Sequence, residues 1–262
     1  DVYASLIISY STKSKKYYSN NDERENLPDE IVIEKTNKFS KNLYPTSNNG
    51  ADWKRNYGNS ASNRFSKLKL INKDNLDKLV VAWKYKIDGD AKNDIQSNVL
   101  VAEEQIFLAS NNKKIISLDA KSGKFIWEFK LENNAPRRGM LYLDPSENRS
   151  SKLIFSSYKK LICLDAKSGK LVKKFGNNGS VKLKRPSITS PAVFKDNVII
   201  TTSEPSVEVY NLNNGKLLWK FLLMKKETKL RGIKKHDYSG GNPWGGFSLD
   251  KERGIAYITT GN

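Results

Sequence analysis

Few side chains in this sequence could do chemistry by themselves, and those that could stand alone. The one cysteine, Cys163, lies in the apolar run LICLDA. A single thiol closes no internal disulfide, and in such a run it reads as a small core residue, which leaves the redox compartment open. The one histidine, His236, sits in a basic insertion over residues 225–238. It has no carboxylate-spaced partner and reads as a loop histidine. Lysine and arginine outnumber aspartate and glutamate 46 to 28, giving a net charge of +18. Such a charge suits nucleic acid, an anionic surface or an acidic partner. Here the lysines are scattered through every segment beside many asparagines, with no dense run and no recognition helix. The charge therefore reads as composition bias, and no nucleic-acid partner is expected.

What positions everything else is a repeat. LDAKSGKFIW at 118–127 returns as LDAKSGKLVK at 164–173 and as YNLNNGKLLW at 210–219. The glycines Gly123, Gly169 and Gly215 are 46 residues apart each time. A fixed period of this size means one supersecondary unit repeated. Two of the units close on a tryptophan, Trp127 and Trp219, where the middle one has Lys173.

Within each unit two short apolar runs flank a turn such as Asp-Ala-Lys-Ser-Gly. A polar side chain opens the turn, and glycine takes the positive φ that a Cβ makes costly, so the pattern predicts a tight hairpin. Further strand signals lie upstream of each hairpin, at 99–101 with 105–109, at 153–156, and at 191–194 with 197–201. Four short strands per period predict an all-β fold, a β-propeller of four-stranded antiparallel blades. A tryptophan closing the last strand could pack between adjacent blades or simply in the core. Trp83 precedes Trp127 by 44 residues, so 79–85 is expected to close an earlier blade.

With 262 residues, 37% of them hydrophobic, the chain can bury a sizeable core. Residues 1–49 read as the end of a signal or anchor followed by a polar arm, and 50–262 as propeller. The apolar run at 2–10 is far shorter than the ~20 residues that span a bilayer. It reads as the tail of a truncated signal or membrane anchor, or as a mature N-terminal strand. The sequence begins at Asp1 and stops after two strands of a further blade. A propeller closes on its first blade to hide strand edges. The chain is therefore expected to be a fragment, an open arc of about four blades of an eight-bladed ring.

Several segments carry a family resemblance. DWKRNYGNSASNRFSKLKLINKDNLDKLVVAWKY resembles the opening of the quinoprotein dehydrogenases that use pyrroloquinoline quinone (PQQ). GGNPWGG and then SLDKERGIAYITTGN resemble a central segment of that family, and the repeat resembles its blades. The resemblance runs from about Ala51 to Asn262, the N-terminal half of a PQQ-type propeller. It implies a quinone on the propeller axis, stacked on a tryptophan, with a calcium ion beside it. A flat conjugated ring gains from stacking on an indole, its carboxylates take arginine and hydroxyl donors, and calcium takes hard oxygens.

Carried over residue by residue, Trp244 matches the floor tryptophan and Asn242 a polar contact close before it. Arg138 matches a carboxylate-binding arginine, and Gln96 falls where the family often has glutamate. Thr189, Ser190 and Ser203 lie near matching hydroxyl positions. Asn262 matches an asparagine ligand to calcium, and Glu204 stands as its carboxylate, closer to Ser203 than the family pattern places it. Gln96, Arg138, Trp244 and Asn262 are expected to point to one end of the axis, with Trp244 flat across it. Plainer readings stay open. Trp244 could be core, Arg138 a solvated hairpin residue, Asn262 a turn residue, and Gln96, Thr189 and Ser190 structural.

Two departures matter. The adjacent cysteine pair of the methanol-type enzymes is absent, which favours the membrane glucose or sugar dehydrogenase-like branch or a different lid. The family's catalytic aspartate belongs after TTGN, so no base is expected within this chain. The resemblance implies a periplasmic enzyme, with a membrane anchor upstream, that oxidises a sugar or alcohol hydroxyl and passes electrons to a quinone or cytochrome. The fragment by itself would be inactive. The alternative is a non-catalytic propeller scaffold, like an outer-membrane assembly lipoprotein, which needs the repeats but not Trp244 and Asn262.

Overall fold

The computed structural model describes residues 52–66, 68–87, 96–110, 112–223 and 241–261. Residues 1–49, His236 and Asn262 lie outside them. The described chain is all-β except for a short 3-10 turn at Leu76–Lys78. The first sheet runs β1 (Leu100–Ala102), β2 (Gln105–Ser110), β3 (Lys114–Asp119) and β4 (Phe125–Lys130) in sequence order. The second has β5 (Leu141–Leu143), β6 (Lys152–Ser157), β7 (Lys160–Asp165) and β8 (Ser180–Lys182). The third has β9 (Ala192–Phe194), β10 (Asn197–Thr202), β11 (Ser206–Asn211) and β12 (Leu217–Leu222). A two-stranded sheet follows, β13 (Phe247–Asp250) with β14 (Ile255–Ile258). All pairings are antiparallel.

The middle strands of the second and third sheets are buried on both faces because a neighbouring sheet covers each face. β6 is buried throughout, whereas β12, the fourth strand of its sheet, is almost wholly exposed. The apolar layers make the stacking explicit. Phe107, Ile115 and Trp127 of the first sheet meet Tyr142, Leu153, Phe155 and Leu164 of the second. Ile154, Leu161 and Cys163 meet Val198, Ile200 and Tyr210 of the third. Ile199, Val207 and Val209 then meet Phe247, Leu249 and Ile258. Cys163 is fully buried as expected, and burial pushes its thiol up to about 12. These are stacked blades.

The three repeat hairpins are equivalent. Gly123, Gly169 and Gly215 have φ of 69°, 68° and 71°, and each donates its N–H back to the carbonyl of Asp119, Asp165 or Asn211. The side chain of that opening residue accepts from the turn, as Asp119 Oδ1 does from the Ser122 N–H at 2.7 Å. Tryptophan then clips one blade to the next. Trp83 Nε1 donates to the Ala120 carbonyl at 3.2 Å, and Trp127 Nε1 to the Ala166 carbonyl at 3.1 Å.

Two expectations change. Residues 79–87 form no ladder among the described residues; Trp83, Tyr85 and Ile87 dock on Leu108, Ile116 and Leu118 by side chains alone. In the second blade, Lys173 does not continue a closing strand. Leu171 makes one bridge to Leu164, the chain turns, and the fourth strand forms later, at β8. The turn brings Gly176 against Gly215, where a tryptophan would otherwise lie: the Gly176 N–H donates to the Asn214 carbonyl at 2.9 Å.

Residues 53–62 run across the first strands of the first, second and fourth sheets by backbone contacts. Trp53 pairs with Val101 of β1, the Tyr142 N–H donates to the Lys54 carbonyl, and the Leu249 N–H of β13 donates to the Ser60 carbonyl.

Candidate functional site

Antiparallel alternation decides which residues share an end of each blade. The lead-in to a first strand and the turn between second and third strands fall at one end; the glycine hairpins fall at the other. Gln96 lies before β1, Arg138 before β5, Thr189 and Ser190 before β9, Asn242 and Trp244 before β13. Ser203 and Glu204 lie in the turn between β10 and β11. Every described candidate is thus on the same end of its blade.

Four of them meet. Arg138, Thr189, Ser190 and Trp244 line one small cleft, together with Arg55 and Gly246. The Arg138 Nη1 donates to the Trp244 carbonyl at 2.6 Å, and its guanidinium lies 4.9 Å from the indole centroid. This joins the second blade to the fourth. The Ser190 hydroxyl donates to the Met140 carbonyl at 2.8 Å, joining the third blade to the second. Thr189 Oγ1 and Thr201 Oγ1 stand 2.7 Å apart in the interior. Trp244 is 44% exposed, so it is not a core residue, and part of its ring stays accessible beside the Arg138 guanidinium.

Asn242 frames that tryptophan. Its carbonyl accepts from the N–H of Trp244 at 2.9 Å and of Gly261 at 3.2 Å. Its side-chain Oδ1 is buried and has no hydrogen-bond partner among the described residues. A buried acceptor left this way is costly, and a ligand donor or water next to Trp244 would satisfy it. Gly261 is equally specific: a Cβ there would stand 2.8 Å from Trp244 Nε1.

The other candidates stand elsewhere. Gln96 is exposed and does not line the cleft; the neighbouring Asn98 ties that lead-in down, donating from Nδ2 to the Asn56 carbonyl at 2.6 Å. Ser203 donates its N–H to the Pro186 carbonyl at 2.8 Å and also lies off the cleft. Glu204 faces away from it. Its Oε2 is 2.5 Å from Lys220 Nζ, and its Oε1 is 3.7 Å from Lys184 Nζ. Lys220 also reaches Glu208 at 3.0 Å, and the Tyr210 hydroxyl donates to Glu208 at 2.6 Å. Burial alone would raise the Glu204 carboxyl, but the Lys220 hydrogen bond and charge hold it below its ordinary value. Lys220 thus occupies one oxygen of this carboxylate, and the described residues hold no cluster of three acidic, histidine or cysteine ligands.

Arg55 was not among the sequence candidates. It is 2% exposed, and nothing in the polar run DWKRNYG marks it apart from a solvated charge. Burial pushes its guanidinium down to about 10, the nearby Tyr57 pulling slightly the other way.

Comparison with known proteins places this architecture. Residues 53–262 match the family described as PQQ: glucose/ethanol/alcohol dehydrogenase, β-propeller domain. The chain is 38% identical over 66 residues to a 1-butanol dehydrogenase (quinone) of Thauera butanivorans, covering 25% of this chain and 11% of that protein. It is 35% identical over 100 residues to the dehydrogenase subunit of an alcohol dehydrogenase (quinone) of Gluconobacter oxydans, covering 36% of this chain and 13% of that one. A quinohemoprotein alcohol dehydrogenase of Pseudomonas putida superposes with a TM-score of 0.67 at 21% identity, over 81% of this chain and 35% of that chain. A europium-containing methanol dehydrogenase superposes with a TM-score of 0.56 at 20% identity, over 67% of this chain and 32% of that chain. The chain thus spans a minor part of each relative it matches. With the match running through every described blade, the chain belongs to the family of PQQ-type quinoprotein dehydrogenase β-propellers.

Proposed function

We propose that this chain is the N-terminal half of the propeller of a PQQ-dependent dehydrogenase that oxidises an alcohol or sugar hydroxyl. The observation that carries the reading is the convergence of Arg138, Thr189, Ser190 and Trp244, from three blades, on one cleft. These residues fit a planar polycarboxylate. Trp244 offers an indole face, Arg138 and Arg55 supply positive charge, Asn242 Oδ1 is an unmet acceptor, and Gly261 keeps the space beside the indole clear. When bound, the quinone supplies the redox chemistry, and the protein supplies placement and electrostatics. Arg138 neutralises and orients the ligand's carboxylate edge, and the Trp244–Arg138 pair excludes water from one face.

For calcium, this chain's proposed ligands are Glu204, whose Oε2 pairs with Lys220, and Asn262, which lies outside the described residues. Gln96 and Ser203 could serve only after a change in their loops. Relatives named for butanol and ethanol favour an alcohol as substrate. The sugar-like branch rests on the missing cysteine pair alone. We propose a periplasmic setting, a quinone or cytochrome as electron acceptor, and a base contributed from outside this chain. Among the described residues no helix is long and apolar enough to cross a membrane.

The test is a titration of the full-length protein with PQQ, with and without calcium, followed by tryptophan fluorescence. Dye reduction with a panel of alcohols and sugars then reads the substrate. Saturable binding and hydroxyl-dependent dye reduction are expected. No binding under any condition would leave the scaffold reading in its place.

A further inference from the structure

Among the described residues Arg55 is one of the largest fully buried side chains, and it is held in an unusual way. Its Nε donates to the Pro191 carbonyl at 2.8 Å, and its Nη2 donates to the Ser190 carbonyl at 3.0 Å. Its Nη1 donates to the Phe247 carbonyl and to the Ser62 hydroxyl, each at 2.8 Å. The guanidinium also stacks 4.7 Å from the Phe247 ring. Every one of these acceptors is neutral. Among the described residues Arg55 makes no ion pair.

A buried charge without a counter-ion is expensive, and carbonyl dipoles offset only part of that cost. A neutral side chain could fill the same space, so the charge calls for a reason. Two features supply one. Arg55 lines the same cleft as Arg138, Ser190 and Trp244. It also ties the lead-in to β9, through Ser190 and Pro191, to the start of β13 at Phe247, three residues after Trp244. Only a planar fork of five donors can satisfy acceptors spread over two blades at once.

We propose that Arg55 is a positioning and specificity-determining residue of the cleft. It locks the approaches to the third and fourth blades together, and it supplies the fixed buried charge that selects a polycarboxylate ligand over a neutral one of the same shape. It acts through Ser190 and through its field, without touching the ligand. The inference rests on the PQQ reading above.

The experiment compares two probes on the full-length protein, PQQ and its uncharged trimethyl ester, by tryptophan fluorescence titration. The variants are Arg55→Gln, which removes the charge, and Arg55→Lys, which keeps the charge and loses the fork. Arg55→Gln loses both the charge and the fork, so it should weaken both probes, and PQQ at least about tenfold more than the ester. Arg55→Lys should weaken both probes alike, preserving the preference for PQQ. A loss by Arg55→Gln that is equal for both probes would reduce Arg55 to a structural brace and overturn the proposal. So would a preference in Arg55→Lys that falls as it does in Arg55→Gln, or unchanged binding in both. If Arg55→Gln does not fold, retained preference in Arg55→Lys supports the proposal and lost preference overturns it. Failure of the parent to bind either probe would overturn the PQQ reading itself, and the inference with it.

Discussion

The indole of Trp127 lies directly over Gly169 of the next blade, so closely that a Cβ on Gly169 would stand 2.5 Å from the ring. Trp83 and Gly123 repeat the arrangement one blade earlier, again with 2.5 Å to the nearest ring carbon. Gly169→Ala therefore faces two penalties, a left-handed φ of 68° and a clash with a ring that cannot retreat. It should cost ~2 kcal/mol or more. Gly245→Ala is the control, since its Cβ would meet nothing closer than 3.7 Å, and it should stay within about 0.5 kcal/mol. Urea unfolding of the two variants checks the contrast; equal losses would mean that the indole does not clip the blades.

Lys220 should prove a stability switch at acid pH. It neutralises two buried carboxylates, Glu204 and Glu208, at 2.5 Å and 3.0 Å. The folded carboxyl of Glu204 lies below its ordinary value of 4.5, so its contribution is present above that pH and is lost as pH falls through the lower folded value. Lys220 itself is raised, burial opposing and the two glutamates prevailing, so its contribution fades only at alkaline pH above its ordinary 10.5. Lys220→Met leaves Glu208 without its cation and Glu204 with only the exposed Lys184, 3.7 Å away. The expected loss is about 1–3 kcal/mol near neutrality. Acidification should then recover part of the variant's stability, while it lowers that of the parent. Thermal midpoints measured from neutral pH down to acid, falling in parallel for both proteins, would show that the cluster is solvated and inert.

The hairpin glycines and closing tryptophans were legible because turn chemistry and burial act locally: Asp119 to Gly123 contains everything that its turn needs. The second blade's last strand was not. LVKKF reads as a continuing strand, and only the contact of Gly176 with Gly215, in the next blade, draws the chain aside. The cleft was half legible. Arg138 and Trp244 come together from residues 106 apart because each leads into a first strand, which the repeat implies. Glu204 does not line the cleft, and Lys220, 16 residues on and across a hairpin, pairs with it instead. Arg55 was invisible because its four acceptors belong to a hydroxyl nearby and to carbonyls 135 to 192 residues away.

Arg138 is half-buried, and among the described residues its guanidinium meets only the Trp244 carbonyl and ring. Arg138→Ala should therefore cost under about 1 kcal/mol of folding stability. It should nonetheless weaken PQQ by about tenfold or more, because a bidentate carboxylate partner is lost. Arg138→Lys should recover only part of that affinity. Equal PQQ affinity in the parent and both variants would mean that Arg138 only caps the indole.

Gly261 offers a way to move Trp244 without removing it. The Gly261 N–H and the Trp244 N–H both donate to the Asn242 carbonyl, which holds the indole edge against the Gly261 backbone. The Gly261 φ is not in the left-handed region, so Gly261→Ala adds no backbone strain. The added methyl stands 2.8 Å from Trp244 Nε1, closer than any relaxed contact, and the exposed ring must swing away to relieve it. Trp244→Ala removes the stacking surface outright, worth ~1 kcal/mol or more, and should weaken PQQ about tenfold. Gly261→Ala should produce a similar loss with the indole still present and its fluorescence shifted. If stacking on a fixed indole is what the cleft provides, the two changes combined should cost no more than Trp244→Ala alone, since they remove the same interaction. Fully additive losses in PQQ titration would place the effect of Gly261 somewhere other than the indole.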